Sequence, residues 1–237
     1  MPGPLERISR KVPTGEDFAP ATPLLVFEGG ARDHADAAAT VADPRWRDER
    51  ILVFAGTLNE INGVELTLEG FARLEDPAAR LWVFGRGPLA ERVRAAAAAD
   101  PRIRFWGFLP QAEVRALLAH ATLLLNLRLS RPLTRYTFPS KLLEYMASGR
   151  AVVSTSFTGI PEDYRRRLLV LEEETPAGLA HLLSQALARP TSELELLGAE
   201  ARRFVLEERS WQRQGARLGE FVRGLWGERP SPTTHCT

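Results

Sequence analysis

Short apolar runs alternate with amphipathic stretches along most of this chain. ILVFAG (Ile51 to Gly56), LWVFG (Leu81 to Gly85), IRFWGF (Ile103 to Phe108), TLLLNL (Thr122 to Leu127), AVVST (Ala151 to Thr155) and LLVL (Leu168 to Leu171) are short and mainly apolar. Such runs predict strands buried on both faces. Between them Val64, Leu68, Phe71 and Leu74 recur at helical spacing, and residues 89–99, 111–120, 140–147 and 161–166 read as further helices. PLLVFEGG (Pro23 to Gly30) predicts a strand before this series. Two or three helices close it, with Leu218, Phe221, Val222 and Leu225 on one face of the last. Strands of this kind separated by amphipathic helices predict an α/β protein: a doubly wound, mainly parallel sheet with helices on both faces. A ligand site is then expected at the carboxyl ends of the strands.

The first 21 residues carry clustered prolines and no period, so a flexible arm is expected there. Residues 22–226 are expected to form one Rossmann-like domain with C-terminal helices, and residues 227–237 a disordered tail. No internal repeat interrupts this plan.

Composition narrows the function classes. The chain has 237 residues, is 44% hydrophobic and 26% charged, and carries a net charge of +1. That balance gives no argument for nucleic acid or an anionic membrane surface. No apolar run approaches the roughly 18 residues of a membrane span, and the N-terminal stretch has no apolar core for a signal peptide. A single cysteine, Cys236, leaves no internal disulfide and no cysteine metal site. His34, His120 and His181 are scattered without metal-ligand spacing, so no metal is expected. A cytoplasmic location is the simplest expectation.

The basic residues are almost all arginine. Only Lys11 and Lys141 are lysine. Codon bias accounts for the excess of arginine, but the two cations are not interchangeable, and Lys141 stands alone in the body of the chain.

Several strand-to-helix loops converge on the expected site edge. One runs Gly56-Thr57-Leu58-Asn59-Glu60-Ile61-Asn62-Gly63, and a second is Gly85-Arg86-Gly87-Pro88. The second is either a tight connection or a close approach to a ligand. Neither matches a dinucleotide G-x-G-x-x-G fingerprint or a P-loop. A third loop carries Arg128, Arg131 and Arg135 and runs through Phe138 and Pro139 into Ser140 and Lys141. The first turn of a helix presents free N–H groups and the positive end of its dipole, so Ser140 and Lys141 form a candidate diphosphate site. The plainer alternative is a serine cap and a solvated lysine. Glu144 sits one turn beyond Ser140, flanked by Leu142, Leu143, Tyr145 and Met146. A carboxylate among apolar neighbours needs a partner, either vicinal ribose hydroxyls or an arginine.

FPSKLLEYMASGRAVVST, preceded by ILVFAGTLNEINGVELTLEGF and VFGRGPL, resembles the C-terminal half of family 4 glycosyltransferases of the GT-B fold. The resemblance covers about residues 22 to 226. It implies transfer of a sugar, with retained anomeric configuration, from a nucleotide-diphosphate donor, with no cofactor and usually no metal. It implies that Glu144 holds the donor ribose and that Ser140, Lys141 and Leu142 lie at the diphosphate. It also places Leu109 at the base, with Gly85, Arg86, Gly87, Tyr136, Phe138 and Pro139 around the pocket, and Gly56, Thr57 and Asn62 along the diphosphate loop. No catalytic residue is assigned.

Two departures bear on the chemistry. Thr57 and Asn62 stand where the family commonly has the arginine and lysine of G-R-L-x3-K-G, and Tyr136 stands at the first glutamate of its E-x7-E pattern. Both fit a subgroup with F-P-S-K-x-x-E-Y that resembles enzymes of surface-polysaccharide assembly. The diphosphate charge then falls to Lys141 with Arg128 and Arg135, whose guanidinium groups suit phosphate oxygens. The family's N-terminal acceptor domain has no counterpart ahead of residue 22, so the expectation is an acceptor domain that is either supplied by a partner chain or lost from a truncated gene. Peripheral membrane contact would come through that partner. The competing expectations are a non-catalytic nucleotide-sugar-binding module and a degenerate interaction protein.

Overall fold

The computed structural model describes residues 25, 29–33, 43–132, 134, 137–156 and 160–226. The expected arm, the tail, most of the Pro23 to Gly30 strand, and the site candidates Arg135 and Tyr136 lie outside these residues.

Six strands form one sheet: β1 (Arg50–Ala55), β2 (Ala79–Phe84), β3 (Ile103–Gly107), β4 (Leu123–Asn126), β5 (Ala151–Thr155) and β6 (Leu169–Leu171). Their order is β3-β2-β1-β4-β5-β6, and every pairing is parallel. The connecting helices are α1 (Val64–Ala72), α2 (Ala90–Ala99), α3 (Gln111–Leu118), α4 (Ser140–Ala147) and α5 (Glu162–Arg165). Three more follow: α6 (Pro176–Leu187), α7 (Thr191–Glu208) and α8 (Trp211–Trp226). The expected doubly wound α/β fold is what the chain adopts.

Alternation along each strand divides the core in two. Leu52 and Phe54 of β1, with Leu123 and Leu125 of β4, face α1 and α6 through Phe71, Leu179 and Leu183. Ile51, Val53 and Leu124 face α4 and α7 through Leu142, Met146, Phe204 and Val205. Leu142 and Met146 are fully buried, each removing side-chain surface worth about 1.5–3 kcal/mol. That burial fixes α4 across the sheet and so fixes where its N-terminus points.

Strand order reverses between β1 and β4. These two pair only at Leu52↔Leu123 and Val53↔Leu124, so past that register they part. The crevice between their carboxyl ends is the switch point at which a doubly wound sheet binds its ligand.

At the far end of the chain, the face of α8 expected to pack is largely in solvent. Trp211, Leu218 and Leu225 are exposed, although Trp211 lies over Gly30.

Candidate functional site

The loops leaving β1, β2 and β3 are joined backbone to backbone beyond the strands. Gly56 N–H donates to Phe84 O (3.1 Å), Gly85 N–H to Gly107 O (2.8 Å), and Leu58 N–H to Arg86 O (2.9 Å). This closeness explains the glycines. Gly85 has φ +137°, and a Cβ there would fall on the Gly56 carbonyl oxygen; at Gly87 a Cβ would strike the Leu58 backbone. Gly85 and Arg86 line a cavity at this edge, whereas Gly87 is spent on loop-to-loop contact and lines none of the cavities described below.

Asn62, where the family pattern has a cation, braces its own loop. Its N–H donates to Asn59 Oδ1 (2.9 Å) and its side chain to Thr57 O (2.9 Å).

Helix α4 enters the switch point with Pro139 at its cap and no side chain capping its first turn. Ser140 is therefore a helical residue and not the cap. The first-turn N–H groups and dipole point into the crevice. Leu142 is a correction to the expected set. Its side chain is fully buried in the core, and its N–H is already given to Pro139 O at 2.9 Å. Phe138 likewise packs on the Tyr164 ring, 5.1 Å between centroids, and is not part of the lining.

Glu144 is also placed differently from the expectation. It is not enclosed by its apolar neighbours but is partly exposed on the rim, where it accepts from Lys141 Nζ at 2.7 Å. Its helical neighbours are buried because they lie on the other face. Its partner is the lysine one turn before it.

Two cavities open side by side at this edge and share Ala55, Gly56, Thr57 and Lys141. One of about 220 Å³ lies over the β1/β4 crevice, walled by Asn126, Arg128, Pro139, Ser140 and Tyr145 among others. The other, about 400 Å³, lies over β2 and β3 against Phe84, Arg86, Phe108, Leu109 and Val114. Lys141, Arg128 and Arg86 contribute cations to these walls, and no carboxylate lines either among the described residues. Arg128 has one nitrogen donating to Thr137 Oγ1 (2.9 Å), while its buried Nε has no partner. The arrangement suits an anion held between two differing subsites. A third cavity, about 330 Å³, sits at the opposite edge, where Asp48, Glu49 and Glu195 offset its arginines. Those carboxylates oppose a phosphate there. No group of three or more metal-ligating side chains occurs among the described residues, and none of their helices is long and apolar enough to cross a membrane.

Several contributors were not singled out from the sequence. Phe108 is 64% exposed, with the Arg86 guanidinium 4.7 Å from its ring centroid. Asn126 ends a strand otherwise made of leucines, a break in pattern that could have flagged it. Tyr145 is fully buried beneath the crevice, where its hydroxyl accepts from Ala55 N–H (2.8 Å) and donates to Ala55 O (3.1 Å). It thus satisfies the β1 backbone where β4 has parted from it.

Burial, with a smaller contribution from the Glu144 charge and against the Ala55 hydrogen bond, pushes the Tyr145 phenol well above its ordinary value. A raised folded-state pKa adds stability that is intact below the unfolded value, about 10, and lost as pH rises above it. Tyr145→Phe is expected to cost about 1–3 kcal/mol at pH 8, because it strands a buried N–H. It should also flatten the loss of stability above pH about 10. Urea unfolding of both proteins at pH 8 and above 10 measures this; equal slopes would contradict it.

Comparison with known proteins agrees with this fold. A family model described as Glycosyl transferases group 1 matches residues 49–189. No curated protein matches the chain in sequence. Among solved structures, the fold is similar to sucrose-phosphate synthase from Thermosynechococcus elongatus (TM-score 0.65, 21% identity, 83% of this chain and 50% of that one). It is similar to Anabaena HepE in complex with UDP and glucose (TM-score 0.62, 14% identity, 76% and 49%). It is also similar to WaaG, a glycosyltransferase involved in lipopolysaccharide biosynthesis (TM-score 0.61, 17% identity, 84% and 56%). The chain spans about half the length of these structures.

Proposed function

The chain belongs to the group 1 glycosyl transferases, and from that premise we propose that it is the donor-binding half of a retaining glycosyltransferase that uses a nucleotide-diphosphate sugar. The observation that carries this is the junction at the switch point. Lys141 lies where the two cavities meet, beside the uncapped N-terminus of α4, with Arg128 on the wall of the smaller cavity and no carboxylate among the described lining residues of either. A diphosphate fits that junction, since the helix dipole and the cations favour the same sign of ligand.

The larger, aromatic-walled cavity takes the base. Phe108 supplies a stacking face, already paired with Arg86. Glu144 on the rim exchanges Lys141 for the ribose hydroxyls, and Lys141 turns to the phosphates. The described residues supply binding groups and no acid or base at the junction, so transfer requires a separate acceptor-binding domain. The F-P-S-K-x-x-E-Y pattern, and the similarity in fold to WaaG, support a role in surface-polysaccharide assembly. A cytoplasmic setting, where activated sugars are made, fits this reading.

A second reading, a nucleotide-sugar-binding module without transferase activity, is favoured by one observation: no carboxylate lines either cavity among the described residues. The two readings part on whether an acceptor half restores turnover.

Thermal melting against uridine, guanosine and adenosine diphosphate sugars tests the shared claim. At least one is expected to raise the melting temperature, and a flat response across all three would refute donor binding. Phe108→Ala is expected to weaken the responding ligand by about tenfold, in line with about 1–3 kcal/mol for base stacking on an aromatic ring. Phe108 is 64% exposed, so the fold should be unaffected.

A further inference from the structure

Building on the nucleotide-sugar reading above, we infer that Asn126 is a specificity-determining residue that accepts a hydrogen bond from a hydroxyl of the transferred sugar.

Asn126 closes β4 on the face toward α4 and is only 8% exposed. Its orientation is set by Ser154, which is fully buried on the neighbouring strand. The Ser154 hydroxyl donates to the Asn126 backbone carbonyl (3.3 Å), leaving the Ser154 oxygen to accept from Asn126 Nδ2 (3.0 Å). With the amide nitrogen engaged, Oδ1 is the free end. It accepts no hydrogen bond among the described residues, although Asn126 forms part of the crevice wall. Open on the crevice wall, it is placed to accept a hydrogen bond from a ligand that brings a donor.

The chemistry of Oδ1 decides which part of the ligand this is. Its lone pairs repel phosphate oxygens, which belong on Lys141 and the α4 N-terminus. They match an O–H donor instead. The two cavities meet at Ala55, Gly56, Thr57 and Lys141, so a ligand laid across the junction has its ends in opposite cavities. The aromatic cavity suits a base, and the smaller one, with the Asn126 amide and little aromatic surface, suits a polyol. A pyranose offers O–H donors around its ring, and a single fixed acceptor discriminates among epimers that differ at the hydroxyl facing it.

The test is calorimetric titration of the unaltered chain and Asn126→Ala with UDP, UDP-glucose and UDP-galactose, and with GDP and GDP-mannose. Asn126→Ala is expected to weaken the preferred nucleotide sugar by about tenfold, leave the matching nucleoside diphosphate unchanged, and reduce discrimination between the two UDP-sugar epimers if UDP is the nucleotide bound. Retained nucleoside diphosphate binding also shows that the variant is folded. Asn126→Ser, which keeps a hydroxyl toward Ser154 but is too short to reach the ligand, gives the same comparison if the alanine variant fails to fold. Equal losses for the nucleotide sugar and the bare nucleoside diphosphate would overturn the assignment, as would no loss in either. Failure of the unaltered chain to bind any of these ligands would instead overturn the donor-binding reading, and the Asn126 assignment with it.

Discussion

Replacing Lys141 with alanine should raise the dissociation constant of a nucleoside diphosphate by about 10- to 100-fold while costing the fold less than about 1 kcal/mol. The two effects separate because the side chain has two different partners. Lys141 pairs with Glu144 at 2.7 Å, with both side chains more than a third exposed. Solvent screens such a pair, and its loss shifts melting by only a few degrees, about 2–4 °C per kcal/mol at this chain length. With a diphosphate bound, the same ammonium makes a charge-assisted hydrogen bond at the positive end of α4. Thr57 and Asn62 bring no charge to that loop, and Asn62 is committed to its own backbone. Calorimetry on Lys141→Ala and on the parent chain, with urea unfolding of both, measures the separation. Unchanged affinity would remove the diphosphate from the α4 junction.

Gly85→Ala should have the opposite profile, a severe loss of stability. The residue holds φ +137°, and a Cβ would land on the Gly56 carbonyl oxygen, which is backbone and cannot rotate away. Strain of about 1–3 kcal/mol for the dihedral adds to about 1–3 kcal/mol for overpacking. A total of about 3 kcal/mol or more is expected, which is a large fraction of a typical domain's stability. The same change forces apart the loops after β1 and β2, which both line the larger cavity. Nucleotide binding should therefore fall even where the variant stays folded. Urea unfolding that gives Gly85→Ala the parent's midpoint would contradict this account of the loop.

The strands could be read from sequence because burial on both faces leaves local, consecutive apolar runs, and the helices because amphipathic spacing is local too. The position of Lys141 at a helix start followed from the same pattern. What could not be read were the pairings between distant segments. Tyr145 meets Ala55 across ninety residues of chain, and Asn126 is oriented by Ser154 from the next strand. Sequence spacing around Glu144 gave its apolar neighbours but not the face each one takes, so its exposure and its pairing with Lys141 emerged only from the packed helix. Gly85 and Gly87 were recognisable as a loop, yet their cause is loop-to-loop contact that only the assembled sheet edge creates. The expected diphosphate and base positions came from the resemblance, whereas the proposal for Asn126 came from the structure.

The central claim is that a nucleotide-diphosphate sugar binds at the carboxyl edge of the sheet, across the N-terminus of α4. The most direct measurement is a crystal structure of the chain with whichever nucleotide sugar raises its melting temperature. The diphosphate is expected over Ser140 and Lys141, the base against Phe108 and Leu109, and the sugar in the crevice above Asn126. A nucleotide found instead at the opposite edge, beside Arg50 and Arg150, would contradict that claim.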